Sequence, residues 1–200
     1  MSADQPEHDE NEIRRLAKLA LRKQLRAIRA TLPQSARDAR SVEIVRRLLE
    51  LDELTHATTV LAFASIGNEV LLGPLIEGMW AAGKRVALPR IVDDDLELRL
   101  VDARTELVEG AFSVPEPPAD AKLVRPEEVQ LVLVPALAVD PRGYRIGYGG
   151  GYYDRLLPRL EHACACVVAY DFQLVSEVPQ LPFDVPVDLV VTDRRVLRTK

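Results

Sequence analysis

Residues 132–157, VLVPALAVDPRGYRIGYGGGYYDRLL, contain the pattern on which the prediction of the fold rests. An apolar run leads into a glycine-rich loop, and the loop leads into a segment that should begin a helix near Gly151. This order is typical of a buried strand, a loop beyond its carboxyl end, and a covering helix. Glycine lacks a Cβ, so backbone N–H groups of the loop and of the helix start can close on a phosphate. The stretch therefore predicts an α/β protein with an anion-binding loop.

Strands and helices alternate on both sides of this stretch. Helices are predicted at residues 12–32 and 34–51 and in a segment ending near Gly83, and strands at residues 59–66, 85–91, 96–100, 131–135, 164–170 and 189–192. The alternation predicts a three-layer α/β/α, Rossmann-like fold, with a largely parallel or mixed sheet and helices on both faces. We expect residues 12–200 to form one catalytic domain, residues 1–11 to be a disordered tail, and residues 102–128 to be an irregular connection.

Composition and charge argue against several classes of protein. No apolar run is long enough to cross a bilayer, and the N-terminus lacks the apolar stretch of a secretory signal, so we expect a cytoplasmic chain with no membrane partner. The net charge of −5 disfavours a nucleic-acid-binding surface. Scattered histidines, and two cysteines that alternate along an apolar strand, argue against a His/Cys zinc site.

Charged side chains in the glycine-rich stretch suit a nucleotide. Arg142, Arg145 and Arg155 can supply positive charge to phosphate groups, and Asp154 can hold Mg²⁺ against them. The spacing matches neither a P-loop nor the dinucleotide-binding fingerprint, since Gly-Lys-Ser/Thr is missing and Gly151 comes too early. The density of glycine, tyrosine, Asp and Arg still favours a binding loop over an ordinary flexible turn.

Several segments, in a shared order along the chain, carry a resemblance to a known family. They are residues 18–23 (KLALRK), Glu69 after the first strand, residues 110–117 (GAFSVPEP), residues 143–155 (GYRIGYGGGYYDR), Phe172-Gln173 and residues 184–188 (DVPVD). Residues 143–155 are similar almost residue for residue to the signature of the 5-formyltetrahydrofolate cyclo-ligases, also called methenyltetrahydrofolate synthetases. The chain resembles this family over most of its length.

The resemblance implies ATP-driven closure of 5-formyltetrahydrofolate to 5,10-methenyltetrahydrofolate, with phosphorylation of the formyl oxygen, attack by N10, and release of ADP and phosphate. It implies ATP as co-substrate, Mg²⁺ as cofactor, a reduced folate as the second ligand, and a monomer. ATP binding falls on Lys18, Leu19, Ala20, Leu21, Arg22, Gly143, Tyr144, Arg145, Ile146, Gly147, Tyr148, Gly149, Gly150 and Gly151. By the same resemblance, Glu69, Tyr152 and Tyr153 bind the substrate, and Asp154 and Asp184 bind the metal. The catalytic residues are Arg145, Tyr152 and Asp154.

The basic face of the N-terminal helix agrees with a nucleotide site. Lys18, Arg22, Arg26 and Arg29 recur at helical spacing; we assign the first two to the nucleotide and expect the last two to be solvated. For Tyr152 and Tyr153 the alternative is ordinary packing at a helix start.

The sequence also departs from the family pattern, at residues 70–72, Leu96, Ser113 and Phe183, and the departures fall on the folate side. Three alternative functions therefore stay open. They are an ATP-dependent ligase acting on another pterin or amide, a non-catalytic folate- or nucleotide-binding relative, and a sugar-phosphate isomerase that needs no ATP. The basic helix face and the Asp in the glycine-rich loop speak against the isomerase.

Overall fold

A computed structural model describes residues 5–199, with side chains from residue 9 onward. The strands are β1 (Thr59–Leu61), β2 (Arg85–Val92), β3 (Asp95–Val101), β4 (Val108–Glu109), β5 (Pro115–Glu116), β6 (Leu131–Pro135), β7 (Ala138–Val139), β8 (Arg145–Ile146), β9 (Cys164–Val168), β10 (Leu189–Val191) and β11 (Val196–Arg198). The helices are α1 (Gln5–Ala30), α2 (Gln34–Leu49), α3 (Asp52–His56), α4 (Gly73–Ala81) and α5 (Tyr152–Leu156).

Seven strands form the main sheet, in the order β11-β10-β9-β6-β1-β2-β3. The five inner strands, from β10 to β2, pair in parallel, and an antiparallel strand closes each edge. The predicted mixed, largely parallel sheet is confirmed. Strands β4 and β5 form one small antiparallel hairpin, and β7 and β8 form another.

Helices cover both faces of the sheet, as predicted, because side chains of a strand alternate between its faces. In β6, Leu131 and Leu133 pack into the core formed with α2, α3 and α4. Val132 and Val134 pack into the opposite core, to which α5 and the turn after it contribute Leu156, Leu157 and Leu160.

Helix α1 lies at one end of the sheet rather than on either face. Its Leu25 packs with Ala138, Ile146 and Val178, on and beside the hairpin that follows the carboxyl end of β6. The opposite side of α1 exposes Ile13, Leu16 and Leu19, at 66%, 57% and 55% of their surface. The helix therefore shows apolar side chains to solvent and turns basic ones inward.

The beginning of α1 corrects the expected disordered tail. Residues 5–11 are helical and continuous with the rest of α1, while residues 1–4 of that expected tail lie outside the described range. Asp9 and Glu10 agree with this, because acidic residues are favourable near the beginning of a helix.

Two other segments differ from the predicted elements. The strand predicted at residues 59–66 ends at Leu61. Beyond it, Ser65 donates to the carbonyl of Val70 and accepts from the N–H of Leu72, which stabilises the turn that follows. The connection at residues 102–128 is only partly irregular, since it contains the β4–β5 hairpin.

The end of this connection covers the edge of the sheet at β3. The N–H of Leu100 donates to the carbonyl of Lys122, and the N–H of Val124 donates to the carbonyl of Leu98, each at 2.8 Å. Among the residues described, no helix is both long and apolar enough to cross a membrane.

Candidate active site

The glycine-rich loop, residues 147–151, connects β8 to α5 beyond the carboxyl end of β6. Gly149 and Gly151 have φ angles of +114° and +67°, a region that disfavours residues with a Cβ. A Cβ on Gly150 would lie 2.5 Å from the ring of Tyr152. Gly147 is different, because a Cβ there would meet no heavy atom within 4 Å. The local fold thus accounts for three of these glycines but not for Gly147.

Arg145, just before the loop, is buried and surrounded by oxygen. Its guanidinium donates to the Asp154 carboxylate at 2.9 Å and to the carbonyl of Val185 at 2.6 Å. Burial lowers the pKa of Arg145, and the charges of Asp154 and Asp184 oppose this shift. A buried cation therefore contacts one of the two carboxylates predicted to bind metal and interacts electrostatically with the other.

Helix α1 reaches the same place with its basic side chains. Lys18 forms an ion pair with Asp184, and the side chains of both are largely buried. Arg22 donates from Nε to the carbonyl of Gly147 at 2.9 Å. The structure thus brings Lys18 and Arg22 to the glycine-rich loop, while Leu19 and Ala20, predicted with them, are exposed.

Glu69 is a buried carboxylate, 5% exposed, in the loop after β1. Its Oε1 accepts from the Tyr148 hydroxyl at 2.9 Å, and its Oε2 accepts from the N–H of Ile66 at 3.1 Å. Burial raises its pKa, while the Ile66 N–H, Arg29 and Tyr148 act in the opposite direction. Because Tyr148 belongs to the glycine-rich loop, Glu69 lies next to that loop.

Tyr153 has a buried hydroxyl that makes no hydrogen bond to any described residue. Burial raises its pKa, the Glu69 charge adds to the effect, and the Arg145 charge opposes it. Since buried polar groups in proteins are nearly always paired, an orphaned hydroxyl in this position suits a bound ligand. Tyr152, beside it, lies under the guanidinium of Arg155 at 5.0 Å from the ring centre.

Two arginines expected to serve phosphate groups have other partners. Arg142 pairs with the fully buried carboxylate of Asp140 at 2.8 Å, which requires a cation for its own burial. Arg155 donates to the carbonyls of Gly150 and Asp94, at 2.9 and 2.6 Å. Their hydrogen bonds stabilise the turns around the loop, and a role toward phosphate stays a prediction for both residues.

The structure also corrects the prediction for Arg29. We expected it to be solvated, but it is 7% exposed, donates to the Tyr148 hydroxyl, and lies 3.7 Å from Oε1 of Glu69. Its helical spacing from Arg22 was a usable signal, because positions i and i+7 share one face of a helix.

The structure also shows the environment of the residues that depart from the family pattern. Val70 and Leu72 are buried in the core, as is Leu96, so three of them pack in the interior. Ser113 has a φ of +56°, a conformation in which glycine would be unstrained, and its hydroxyl donates to Glu109. Phe183, next to Asp184, is 59% exposed.

Asp154 and Asp184 are the carboxylates that could hold a metal ion. One oxygen of each is occupied, Asp154 Oδ1 by Arg145 and Val185, and Asp184 Oδ2 by Lys18 and Leu181. Within the described range, no group of three or more His, Cys, Asp or Glu side chains could hold a metal. Two carboxylates still fit Mg²⁺, which keeps several waters and takes phosphate oxygens as further ligands.

Comparisons with known proteins identify the family of the chain. The model of the 5-formyltetrahydrofolate cyclo-ligase family matches residues 14–193. The 5-formyltetrahydrofolate cyclo-ligase of Escherichia coli K12 is 33% identical, over 84% of this chain and 95% of its own. That of Mycolicibacterium smegmatis is 34% identical, over 90% and 95%.

Solved structures show the same likeness. The NMR structure of Aquifex aeolicus 5,10-methenyltetrahydrofolate synthetase superposes with a TM-score of 0.83 at 35% identity, covering 92% of this chain and 93% of the other. The Mycoplasma pneumoniae 5,10-methenyltetrahydrofolate synthetase, at 24% identity and a TM-score of 0.73, has the same fold and covers 88% of this chain and 98% of its own.

Proposed function

The chain belongs to the 5-formyltetrahydrofolate cyclo-ligase family, and from that premise we propose how its site performs the reaction for which the family is named. The enzyme closes 5-formyltetrahydrofolate to 5,10-methenyltetrahydrofolate with ATP, releasing ADP and phosphate. The observation that supports the proposal is the hydrogen bond from Tyr148 to Glu69. It places a loop suited to phosphate groups directly beside a buried carboxylate suited to a pteridine.

The need for ATP follows from the chemistry of the formyl group. Ring closure must expel the formyl oxygen, which is a poor leaving group on its own. When the γ-phosphoryl group passes to that oxygen, N10 attacks the activated carbon, the tetrahedral adduct collapses, and phosphate leaves. Such a reaction requires chiefly the positioning of two substrates and the neutralisation of phosphate charge.

The nucleotide occupies the side of the site formed by α1 and the glycine-rich loop. Lys18, Arg22 and Arg145 converge there and offset the charge of the triphosphate. The backbone N–H groups of residues 147–151 approach its oxygens. Gly147 supports this arrangement, since its lack of a side chain leaves open space.

Asp154 and Asp184 would hold Mg²⁺ through oxygens that they do not use for Arg145 and Lys18. The ion would supply positive charge to the transferring phosphoryl group. Arg145 keeps Asp154 in place by a hydrogen bond of 2.9 Å.

The reduced folate lies on the side of Glu69. A carboxylate can accept two N–H groups from a pteridine ring, and burial excludes water that would compete for them. The Tyr153 hydroxyl, unpaired within the described part of the chain, donates to the same substrate. Tyr152 borders both ligands at the start of α5.

The direct test is the near-ultraviolet absorbance of the methenyl product, measured with purified protein, Mg·ATP and 5-formyltetrahydrofolate. We expect the chromophore only when ATP is present. No product in a sample that binds ATP would contradict the folate assignment and favour a ligase acting on another pterin or amide. Product formation without ATP would contradict the proposed mechanism.

The role of Asp154 is tested by Asp154→Ala, with Asp52→Ala, exposed at the start of α3, as the control. We expect Asp154→Ala to lower kcat by about 100-fold or more, the size seen when groups that stabilise transition-state charge are removed. Asp52→Ala should keep full activity, and circular dichroism should show both variants folded. A fully active, folded Asp154→Ala variant would refute the metal role.

A further inference from the structure

Glu69 is held by Arg29 and Tyr148, which come from two different elements. Arg29, on α1, donates to the Tyr148 hydroxyl, and that hydroxyl donates to Oε1 of Glu69 at 2.9 Å. The Arg29 guanidinium also lies 3.7 Å from the same carboxylate oxygen. Arg29 and Glu69 are 7% and 5% exposed, so the pair is shielded from water.

The ring of Tyr148 is held in place from α1. The guanidinium of Arg29 lies 5.6 Å from the ring centre, and that of Arg26 lies 5.9 Å from it. The ring is partly exposed while its hydroxyl points to Glu69, so the hydroxyl has a defined direction. Arg26 itself is exposed and makes no described contact with Glu69.

A buried carboxylate needs a nearby cation to remain ionised. The titratable groups that face Glu69 are Arg29 from α1, Tyr148 from the glycine-rich loop, Tyr153 from α5 and Tyr170 after β9. Arg29 is the cation among them. Without it, only the hydrogen bonds from the Ile66 N–H and Tyr148 would oppose desolvation, and the pKa of Glu69 would rise further.

On the basis of the proposed function, we propose that Arg29 and Tyr148 are positioning residues for the reduced folate. Arg29 keeps the Glu69 carboxylate charged, and Tyr148 fixes the direction of its Oε1. A protonated Glu69 would present a donor to pteridine N–H groups that are themselves donors. Arg29 thus helps to keep both oxygens of Glu69 available as acceptors, although it need not touch the substrate.

The experiment compares wild type with Arg29→Met, Arg29→Lys, Tyr148→Phe and the control Lys23→Met, which removes an exposed cation from the same helix. Calorimetry measures the Kd of 5-formyltetrahydrofolate and, separately, of a non-hydrolysable ATP analogue, from about pH 6 to about pH 9. We expect Arg29→Met to weaken folate binding about tenfold or more, with the Kd of the ATP analogue changed by less than about twofold. Lys23→Met should bind both ligands as wild type does.

The pH profile separates charge from packing. In Arg29→Met the Kd for folate should rise as the pH falls toward about 6, because Glu69 protonates there, while wild type stays flat. Arg29→Lys should restore a flat profile, and Tyr148→Phe should weaken binding without a new pH dependence, because Arg29 remains.

Two results would overturn the inference: folate affinity unchanged in a folded Arg29→Met variant, or parallel losses for both ligands without pH dependence. Because binding is measured directly, the proposed function can fail separately. Wild type that binds the folate but forms no methenyl product would contradict the proposed reaction, while the variants would still test Arg29 and Tyr148.

Discussion

At the scale of single residues, different physical reasons account for the presence of glycine at different positions. Gly143 lies in the β7–β8 turn with a φ of +86°, and a Cβ there would lie 2.4 Å from the carbonyl oxygen of Val187. Gly147 has neither restriction. The fold requires the first glycine, whereas only a ligand that approaches the backbone would require the second.

This difference gives a prediction for two matched substitutions. Gly143→Ala should lower the free energy of unfolding by about 1–3 kcal/mol, from backbone strain and the clash with Val187. Gly147→Ala should leave thermal stability nearly unchanged but raise KM for ATP about tenfold or more, by filling the space next to the phosphates. Thermal denaturation and steady-state kinetics measure the two effects, and an unaltered KM for ATP in Gly147→Ala would contradict the placement of the triphosphate.

The sequence could predict those site residues that lie together in one continuous segment of the chain. The glycine-rich loop, Arg145 and Asp154 follow one another closely, so the sequence alone indicated that they belong together. Arg29 was misjudged because its burial depends on Glu69 and Tyr148, which are distant in sequence. The ion pair of Arg142 with Asp140 was also not foreseen, although the two residues are close in sequence, because it reflects the burial of that carboxylate.

At the scale of elements, α1 is attached mainly through polar contacts. Arg14 donates to the carbonyl of Gln180, Lys18 pairs with Asp184, and Arg22 donates to the carbonyl of Gly147. Leu25 is its one fully buried apolar side chain among the residues described. Because charge pairs stabilise less than apolar burial, α1 should open more readily than α2, which buries Ile44 and Leu48.

Hydrogen exchange tests this expectation. The amides of α1 should exchange faster than those of α2 in the free protein, and Mg·ATP should slow the exchange of α1 while leaving α2 unchanged. The reason is that the nucleotide adds contacts to Lys18 and Arg22, which lie on α1. Equal protection of both helices in the free protein, or no response of α1 to nucleotide, would contradict this description.

Elements with a strong apolar pattern were predicted correctly, and those fixed by tertiary contacts were not. Strands β6, β9 and β10 are short apolar runs, and their positions agree with the sequence. The β7–β8 hairpin was missed, because its strands are only two residues long and α1 covers them. Helix α1 is a different case. Lys18 and Arg22, assigned to the nucleotide from the sequence, do reach the glycine-rich loop, while Ile13, Leu16 and Leu19 are exposed, although such a stripe ordinarily indicates a core face.

At the scale of the whole molecule, the two ends of the sheet differ in the residues they carry and in their contacts. The carboxyl end carries the candidate site, and the amino end is joined by ion pairs and hydrogen bonds. There, Arg85 at the start of β2 donates to Glu128, just before β6, at 2.8 Å. Gln130 accepts from the N–H groups of Thr58 and Thr59 at 2.6 and 3.2 Å.

The pH dependence of stability should depend on the ion pair between Arg85 and Glu128 at the amino end of the sheet. The hydrogen bond from Arg85 lowers the pKa of Glu128 from 4.5 to about 2, with help from Arg125. A carboxylate with a depressed pKa stabilises the fold above its unfolded pKa and loses that effect as the pH falls toward the folded value. Glu128→Gln should therefore have a lower Tm than wild type at neutral pH, and the gap should narrow below pH 4.5. A gap that stays constant down to about pH 3 would contradict this assignment, and turnover at neutral pH should not change.

Ligands that bind at the carboxyl end of the sheet should stabilise the whole chain. Binding at about 100 times Kd adds about 2.7 kcal/mol to the free energy of unfolding, or roughly 5–10 °C in Tm for a chain of this size. We expect Mg·ATP to raise the Tm of wild type by such an amount and to raise that of Gly147→Ala much less. Differential scanning fluorimetry measures both, and equal shifts would argue against a nucleotide at the glycine-rich loop.

The covered edges of the sheet have a consequence for the protein at high concentration. Residues 122–124 occupy the outer side of β3, and β11 is only three residues long, with Arg194, Arg195 and Arg198 in and beside it. Short, charged or covered edges deny a neighbouring molecule the open backbone on which fibrils and amorphous aggregates grow. The sheet should therefore resist strand-by-strand aggregation in a crowded solution, even though its inner strands are almost entirely apolar.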